Sequence, residues 1–192
     1  MEDSTKPLIL EADLLVIGWG KAGKTLARDL ASSGRRVVLV ERDDTMIGGT
    51  CINVACVPTK TLVNLAERRG DREPDEYLKQ AIASRDSLID RLRAANKAML
   101  SGQETVTLVH GEARFTGPRR VRVQAGEETL DITAGAVVIN TGTSPLMPDI
   151  PGIRGRFVYD STTIQHIADG KVPRSLTIVG GGFIGLEFAS MF

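Results

Sequence analysis

The chain has 192 residues, enough for one domain and the beginning of a second at about 150 residues per domain. Its 24 basic and 24 acidic residues cancel, which excludes a nucleic-acid binder acting through bulk positive charge. With 42% hydrophobic and 25% charged residues the composition is that of an ordinary globular protein, and no apolar run approaches the roughly 18 residues that span a bilayer.

Met1 to Glu11 carries neither the basic start nor the cleavage site of a leader, so the expectation is a cytoplasmic protein with no membrane partner. Leu14-Leu15-Val16-Ile17 is a short unbroken apolar run, as a strand buried on both faces requires. It enters Gly18-Trp19-Gly20-Lys21-Ala22-Gly23, then a helical stretch from Lys24 to Ser33 closed by Gly34. A second apolar run, Val37 to Val40, ends on Glu41. Strand, glycine turn, helix and strand within about 30 residues make a dinucleotide-binding unit. Gly18 permits the tight turn, Gly20 lets a phosphate approach the backbone, and Gly23 lets helix and strand pack closely. Amides at the helix N-terminus face the pyrophosphate, and Glu41 stands where a carboxylate accepts from ribose hydroxyls. An acid there suits an unphosphorylated ribose, so the ligand of this turn is FAD or NAD.

Next comes Gly48-Gly49-Thr50-Cys51-Ile52-Asn53-Val54-Ala55-Cys56-Val57-Pro58-Thr59-Lys60, which holds both cysteines of the chain. A helical offset of five residues rises about 7.5 Å, beyond the usual disulfide Cα separation of about 4.4–6.8 Å. A bond between Cys51 and Cys56 therefore demands a distorted backbone between them. Pro58 helps, because it disfavours the helical region for Val57 and suits the first turn of a following helix. A strained disulfide is readily reduced, and a helix N-terminus favours the reactive thiolate. Two unreactive buried thiols are the structural alternative. A zinc site fails for want of ligands, since only His110 and His166 are left to join the pair, and both read as surface or loop residues.

Glu67 to Glu76 reads as a charged, solvated loop, and Pro74 to Leu100 as one long amphipathic helix. Short strands follow at Thr105–Val109, Arg120–Val123, Leu130–Ile132 and Ala136–Ile139, the last ending at Asn140-Thr141-Gly142. Prolines 145, 148 and 151 mark an extended connector. Leu176 to Gly185 repeats Leu14 to Gly23 glycine for glycine, so Gly180, Gly182 and Gly185 open a second nucleotide-binding fold that breaks off inside its first helix. The expected organisation is a dinucleotide-binding domain over 8–150, a connector over 151–173 and the start of a second, truncated nucleotide-binding domain over 174–192. The expected fold class is α/β, a truncated Rossmann-like three-layer fold.

Glycine turn, acid and Gly-Gly-Thr-Cys-x-Asn-x-x-Cys-x-Pro-x-Lys together resemble the class I pyridine nucleotide-disulfide oxidoreductases, the family of dihydrolipoamide dehydrogenase, glutathione reductase and mercuric reductase. The resemblance runs through the whole chain, with FAD implied for the domain over 8–150 and NAD(P) for the one over 174–192, a truncated FAD/NAD(P)-binding Rossmann-like three-layer fold. It implies a flavoprotein passing electrons from NADH or NADPH through FAD to a Cys51–Cys56 disulfide and on to a small oxidant or disulfide substrate. Cys51 would attack the substrate, and Cys56 would stand against the flavin as the charge-transfer thiolate. Lys60 matches a lysine near flavin N5 and Glu187 the glutamate paired with it. Lys21, Ala22, Arg42, Gly49, Thr50, Ala113, Thr141, Gly142 and Ser161 fall at positions that line the flavin dinucleotide in such proteins. Ala55 and Asn140 depart from the glycine and alanine usual there, without removing a reacting group. The wording of the motifs looks most like the bacterial reductases of reactive-chlorine and hypothiocyanous acid resistance, with dihydrolipoamide dehydrogenase and mercuric reductase as alternatives.

Relatives of this kind are longer, form homodimers and draw their acid–base histidine from a C-terminal domain. The resemblance thus implies that this chain alone does not turn over. Two other classes stay open on the residues themselves. A thiol-sensing module would need no flavin, and a plain NAD-dependent dehydrogenase would not need Cys51 or Cys56.

Overall fold

The computed structural model describes residues 7–167 and 171–192. Part of the leader reading over Met1–Glu11 and of the 151–173 connector therefore lies outside the described residues. The chain forms two compact units: the described residues of Met1–Thr50 with Leu92–Gly142, and those of Cys51–Arg91 with Thr143–Phe192.

The first unit is built on a six-stranded sheet of order β3-β2-β1-β6-β5-β4, with β1 Leu8–Ile17, β2 Val37–Glu41, β3 Val106–His110, β4 Glu112–Gly117, β5 Arg120–Ala125 and β6 Glu128–Ile139. β3, β2, β1 and β6 run parallel, with Leu15 opposite both Val38 and Val137. β4, β5 and β6 form an antiparallel meander. Leu14, Val16, Val37 and Leu39 face one side, against Ala27 and Ala31 of helix α1 (Lys21–Ser32) and Leu100 near the end of helix α4 (Pro74–Ser101). Leu15, Val38 and Val40 face the other and meet Val121 and Val123 of β5 and Ile132 of β6, so the meander curls over that face. Helices, parallel strands and meander are the three layers of the α/β fold read from the sequence.

Several elements differ from the sequence reading. β4 was not foreseen, and the two strands read at 130–132 and 136–139 are one continuous β6. Gly135 suggests a break, but a Cβ there would lie 2.9 Å from the Asp13 carbonyl oxygen, so the glycine lets β6 run close beside β1.

In the second unit, helix α2 (Thr50–Asn53, its first residue in the first unit) stops before α3 (Cys56–Glu67), and helix α5 (Phe183–Met191) packs on α3. The glycine repeat turns at Gly180 and caps α5 with Gly182, but Leu176–Val179 is extended without strand pairing. A strand exists only beside another, and no described segment of this unit pairs with it.

Candidate functional site

In the first unit the glycine turn is shaped by what lies against it. Gly18 has φ +98°, and a Cβ there would fall 2.4 Å from the Asn140 carbonyl oxygen. Gly49 also has a positive φ, and its Cβ would lie 2.5 Å from Gly20 Cα, so the loop carrying Gly49 touches the turn directly. Gly23 is pressed between Val16 and Asn140. Gly20 caps α1 with no side-chain hydrogen bond and no acidic residue in the first turn, which leaves the amides around Lys21, Ala22 and Gly23 to an anion.

Glu41 is tied to this turn. Its Oε2 accepts from the Trp19 N–H at 2.9 Å, and its Oε1 accepts from the N–H groups of Arg42 at 2.9 Å and Asp43 at 3.2 Å. The carboxylate that would meet a ribose is thus held by three backbone donors. Thr141 and Gly142 are exposed, and Gly142 approaches Thr50, whose Oγ1 would sit 3.0 Å from a Cβ at 142. Ala113 is half-buried on β4 opposite Val123. An uncapped helix start, a turn closed to side chains and a fixed acid beyond it together fit an adenine dinucleotide.

The sequence reading noted Asn140 only as a departure. In the structure its Nδ2 donates to the carbonyls of Gly18 at 3.0 Å and Gly20 at 2.9 Å, locking the turn from the end of β6. The signal was its position one residue before Thr141-Gly142; the contact spans too much chain to read from sequence.

In the second unit the expected distortion between the cysteines is present. The helix is interrupted after Asn53, and Ala55 (φ −126°, ψ −103°) caps α3 from outside the helical region. Both cysteines stand as thiols, Cys51 half-buried and Cys56 exposed at the first position of α3. Pro58 is buried in the first turn of α3. Lys60, one turn on, donates from Nζ to the Glu187 carboxylate of α5, so the structure brings together two residues paired by resemblance alone. Ser161 is half-buried, and its carbonyl accepts from the Gln165 side chain. Gly185 packs against the Gly180 carbonyl, which a Cβ would meet at 2.7 Å, while Gly182 is exposed. His110 and His166 are exposed, as expected, and His110 pairs with Asp44 at 3.1 Å.

These features amount to a glycine turn with a fixed acid beside it in one unit and two thiols flanking a helix break in the other. Residues 12–192 match the family described as pyridine nucleotide-disulphide oxidoreductase, and the chain belongs to that family. It is 42% identical over 179 residues to the "Probable pyridine nucleotide-disulfide oxidoreductase RclA" of Escherichia coli (strain K12), covering 93% of this chain and 39% of that protein. A dihydrolipoyl dehydrogenase of Thermus scotoductus is 36% identical over 94% of this chain and 39% of its own length. A mercuric reductase of Streptomyces lividans is 34% identical over 94% and 40%. The solved "Cu(II) complex of HOCl-induced flavoprotein disulfide reductase RclA from Escherichia coli" superposes with a TM-score of 0.85 at 41% identity, covering 94% of this chain and 40% of that one. The chain spans about two fifths of the length of these relatives. No helix among the described residues is long and apolar enough to cross a membrane.

Proposed function

We propose that this chain is the FAD-binding and dithiol-bearing portion of a homodimeric NAD(P)H-dependent reductase that removes a small oxidant of the hypothiocyanous acid type. The observation that carries this reading is the interrupted helix with Cys51 before the break and Cys56 just after it.

FAD, when bound, supplies the two-electron link from the nicotinamide to the thiols. The residues of this chain do the rest. The amides around Lys21, Ala22 and Gly23 would hold the pyrophosphate and Glu41 would accept from the adenosine ribose, with Arg42, Gly49, Thr50, Ala113, Thr141 and Gly142 as the further residues of this unit that would hold the dinucleotide. By the family resemblance, Lys60, paired with Glu187, and Ser161 would be the second unit's contribution to holding the flavin, and the turn of Gly180, Gly182 and Gly185 would hold the nicotinamide nucleotide. Cys51 as thiolate attacks the oxidant sulfur and Cys56 resolves the mixed species. Two thiols and one hypothiocyanous acid thereby give the disulfide, water, thiocyanate and a proton, with two electrons leaving the thiols. The likeness to RclA, whose solved structure is described as HOCl-induced, supports an oxidant over the lipoamide or mercuric substrates of the other relatives.

The test is the visible spectrum of the chain with FAD during anaerobic reduction. Bound flavin that gains a long-wavelength band at two electrons, lost in Cys56→Ser and kept in Cys51→Ser, is the expected result. A chain that cycles its thiols with no affinity for FAD would replace this reading with a thiol sensor.

A further inference from the structure

Breaking the helix between the cysteines leaves a backbone group in need of a partner. In a continuous helix the Val54 carbonyl would accept from the N–H of residue 58, but that residue is Pro58, which has none. The next carbonyl, Ala55, finds its regular donor in the Thr59 N–H at 3.1 Å. Val54 finds its donor far away in the chain: Gln165 Nε2 reaches its oxygen at 3.1 Å.

Gln165 is itself fixed from three sides. It is 4% exposed. The same Nε2 donates to the Ser161 carbonyl at 2.7 Å, so the amide faces two carbonyl oxygens and only its NH2 end satisfies both. Its backbone carbonyl accepts from Arg85 Nη1 at 2.6 Å, and Arg85 is a fully buried side chain of α4 whose charge is met by Asp86 Oδ1 at 2.7 Å. The short turn Thr163–His166 that carries Gln165 is tied at its start to Asp160, whose Oδ1 accepts from the N–H groups of Thr162 and Thr163. A chain of hydrogen bonds, buried at Arg85 and part-buried at Val54, thus runs from Arg85 through Gln165 to the backbone midway between the two thiols.

We propose that Gln165, oriented by Arg85, is a positioning residue for the dithiol: by holding the Val54 carbonyl it fixes the interrupted backbone between Cys51 and Cys56 and favours closure of their disulfide. This rests on the redox reading of the pair above. Without the tie the Val54 carbonyl loses its donor, and because Pro58 bars a regular helix the segment is free to leave the one arrangement that keeps the two thiols in register for bonding. The dithiol form gains relative to the disulfide.

The experiment equilibrates the 192-residue chain with glutathione buffers. Cys51 and Cys56 lose their two hydrogens to form one S–S bond, while one oxidised glutathione becomes two reduced molecules. Trapping the remaining thiols gives the equilibrium constant. Gln165→Met keeps the length and removes the donor, and the constant is expected to fall about three- to tenfold, the effect of one hydrogen bond. Tenfold corresponds to about 30 mV for a two-electron couple. Gln165→Asn, which withdraws the amide by one methylene, should shift the same way and serves if the first variant does not fold. Pro58→Ala gives position 58 an N–H, so Gln165→Met should matter less in that background. A merely structural glutamine would lower stability and leave the constant unchanged, and that result overturns the proposal. If the unaltered chain forms no Cys51–Cys56 disulfide, the redox reading itself falls and this inference with it.

Discussion

Asn140 and Gly20 make a sharp test of how the glycine turn is built. A Cβ added at Gly20 would find its three nearest atoms all on the Asn140 side chain: Nδ2 at 2.8 Å, Oδ1 at 3.1 Å and Cγ at 3.2 Å. Gly20 has φ −66° and ψ 161°, which alanine adopts freely, so the cost of Gly20→Ala is steric rather than conformational. Overpacking of this kind costs about 1–3 kcal/mol. Asn140→Ala removes the donors to the Gly18 and Gly20 carbonyls, a loss of about 1–3 kcal/mol for two hydrogen bonds. In the double variant the added methyl enters the space that the amide vacates, so the second change should cost much less than it does alone. The expected coupling is at least about 1 kcal/mol, well above the roughly 0.3–0.5 kcal/mol scatter of independent sites. Urea unfolding of the four flavin-free proteins measures it. Additivity within that scatter would refute the claim that the Asn140 amide closes the turn.

Glu41→Ala removes the acceptor of three backbone N–H groups; a stability loss of about 2 kcal/mol and a loss of FAD affinity are expected, read by urea unfolding and flavin fluorescence. Asp86→Ala leaves the buried Arg85 guanidinium without its carboxylate, which should cost about 2–3 kcal/mol and raise the sensitivity of the 163–166 turn to proteolysis. The Asp160 carboxyl is pushed up by burial, but hydrogen bonds from Thr163 and Thr162 outweigh this and hold it below its ordinary 3.8. A lowered folded value means that its stabilisation is complete above 3.8 and is lost as pH falls through the folded value. Asp160→Asn should therefore flatten the acid limb of the stability profile below that pH. Lys60→Met breaks an ion pair whose lysine is largely exposed, so stability should change by less than about 1 kcal/mol while the spectrum of bound FAD shifts.

The elements that carry the nucleotide turn were legible because their signals are local. Buried parallel strands read as continuous apolar runs, and β1, α1, β2 and Glu41 follow one another within a single unit of chain. The start of β1 was missed because Glu11 and Asp13 interrupt the apolar run. Leu8 to Ala12 pair only with β6, and with one neighbour the strand tolerates exposed and charged positions there. The break between the cysteines was legible from Pro58 and the disulfide distance. What holds the break was not, since Val54 and Gln165 are remote in sequence and a glutamine has no motif value on its own.

Asn140 and Gln165 solve the same physical problem in their separate units. Chemistry at a glycine turn and at a dithiol requires backbone that leaves the regular ladders, and leaving a ladder strands carbonyls. Gly18 turns at positive φ to open the nucleotide cradle, and Pro58 removes the donor that would have regularised the cysteine segment. A buried carbonyl left unpaired costs about 1–3 kcal/mol, enough to pull a short segment into another conformation. In each case a carboxamide from a distant residue supplies N–H groups to the stranded backbone oxygen, at 3.0 Å for Gly18 and 3.1 Å for Val54. A neutral amide does this without placing a fixed charge beside a phosphate or a thiolate, which a lysine or arginine would do. Replacing the Gln165 amide by a cation only one atom longer, as in Gln165→Lys, should therefore keep a donor in place and still alter the chemistry. A lysine at 165 that left the glutathione equilibrium of the dithiol unchanged would show that the neutrality of the group is irrelevant.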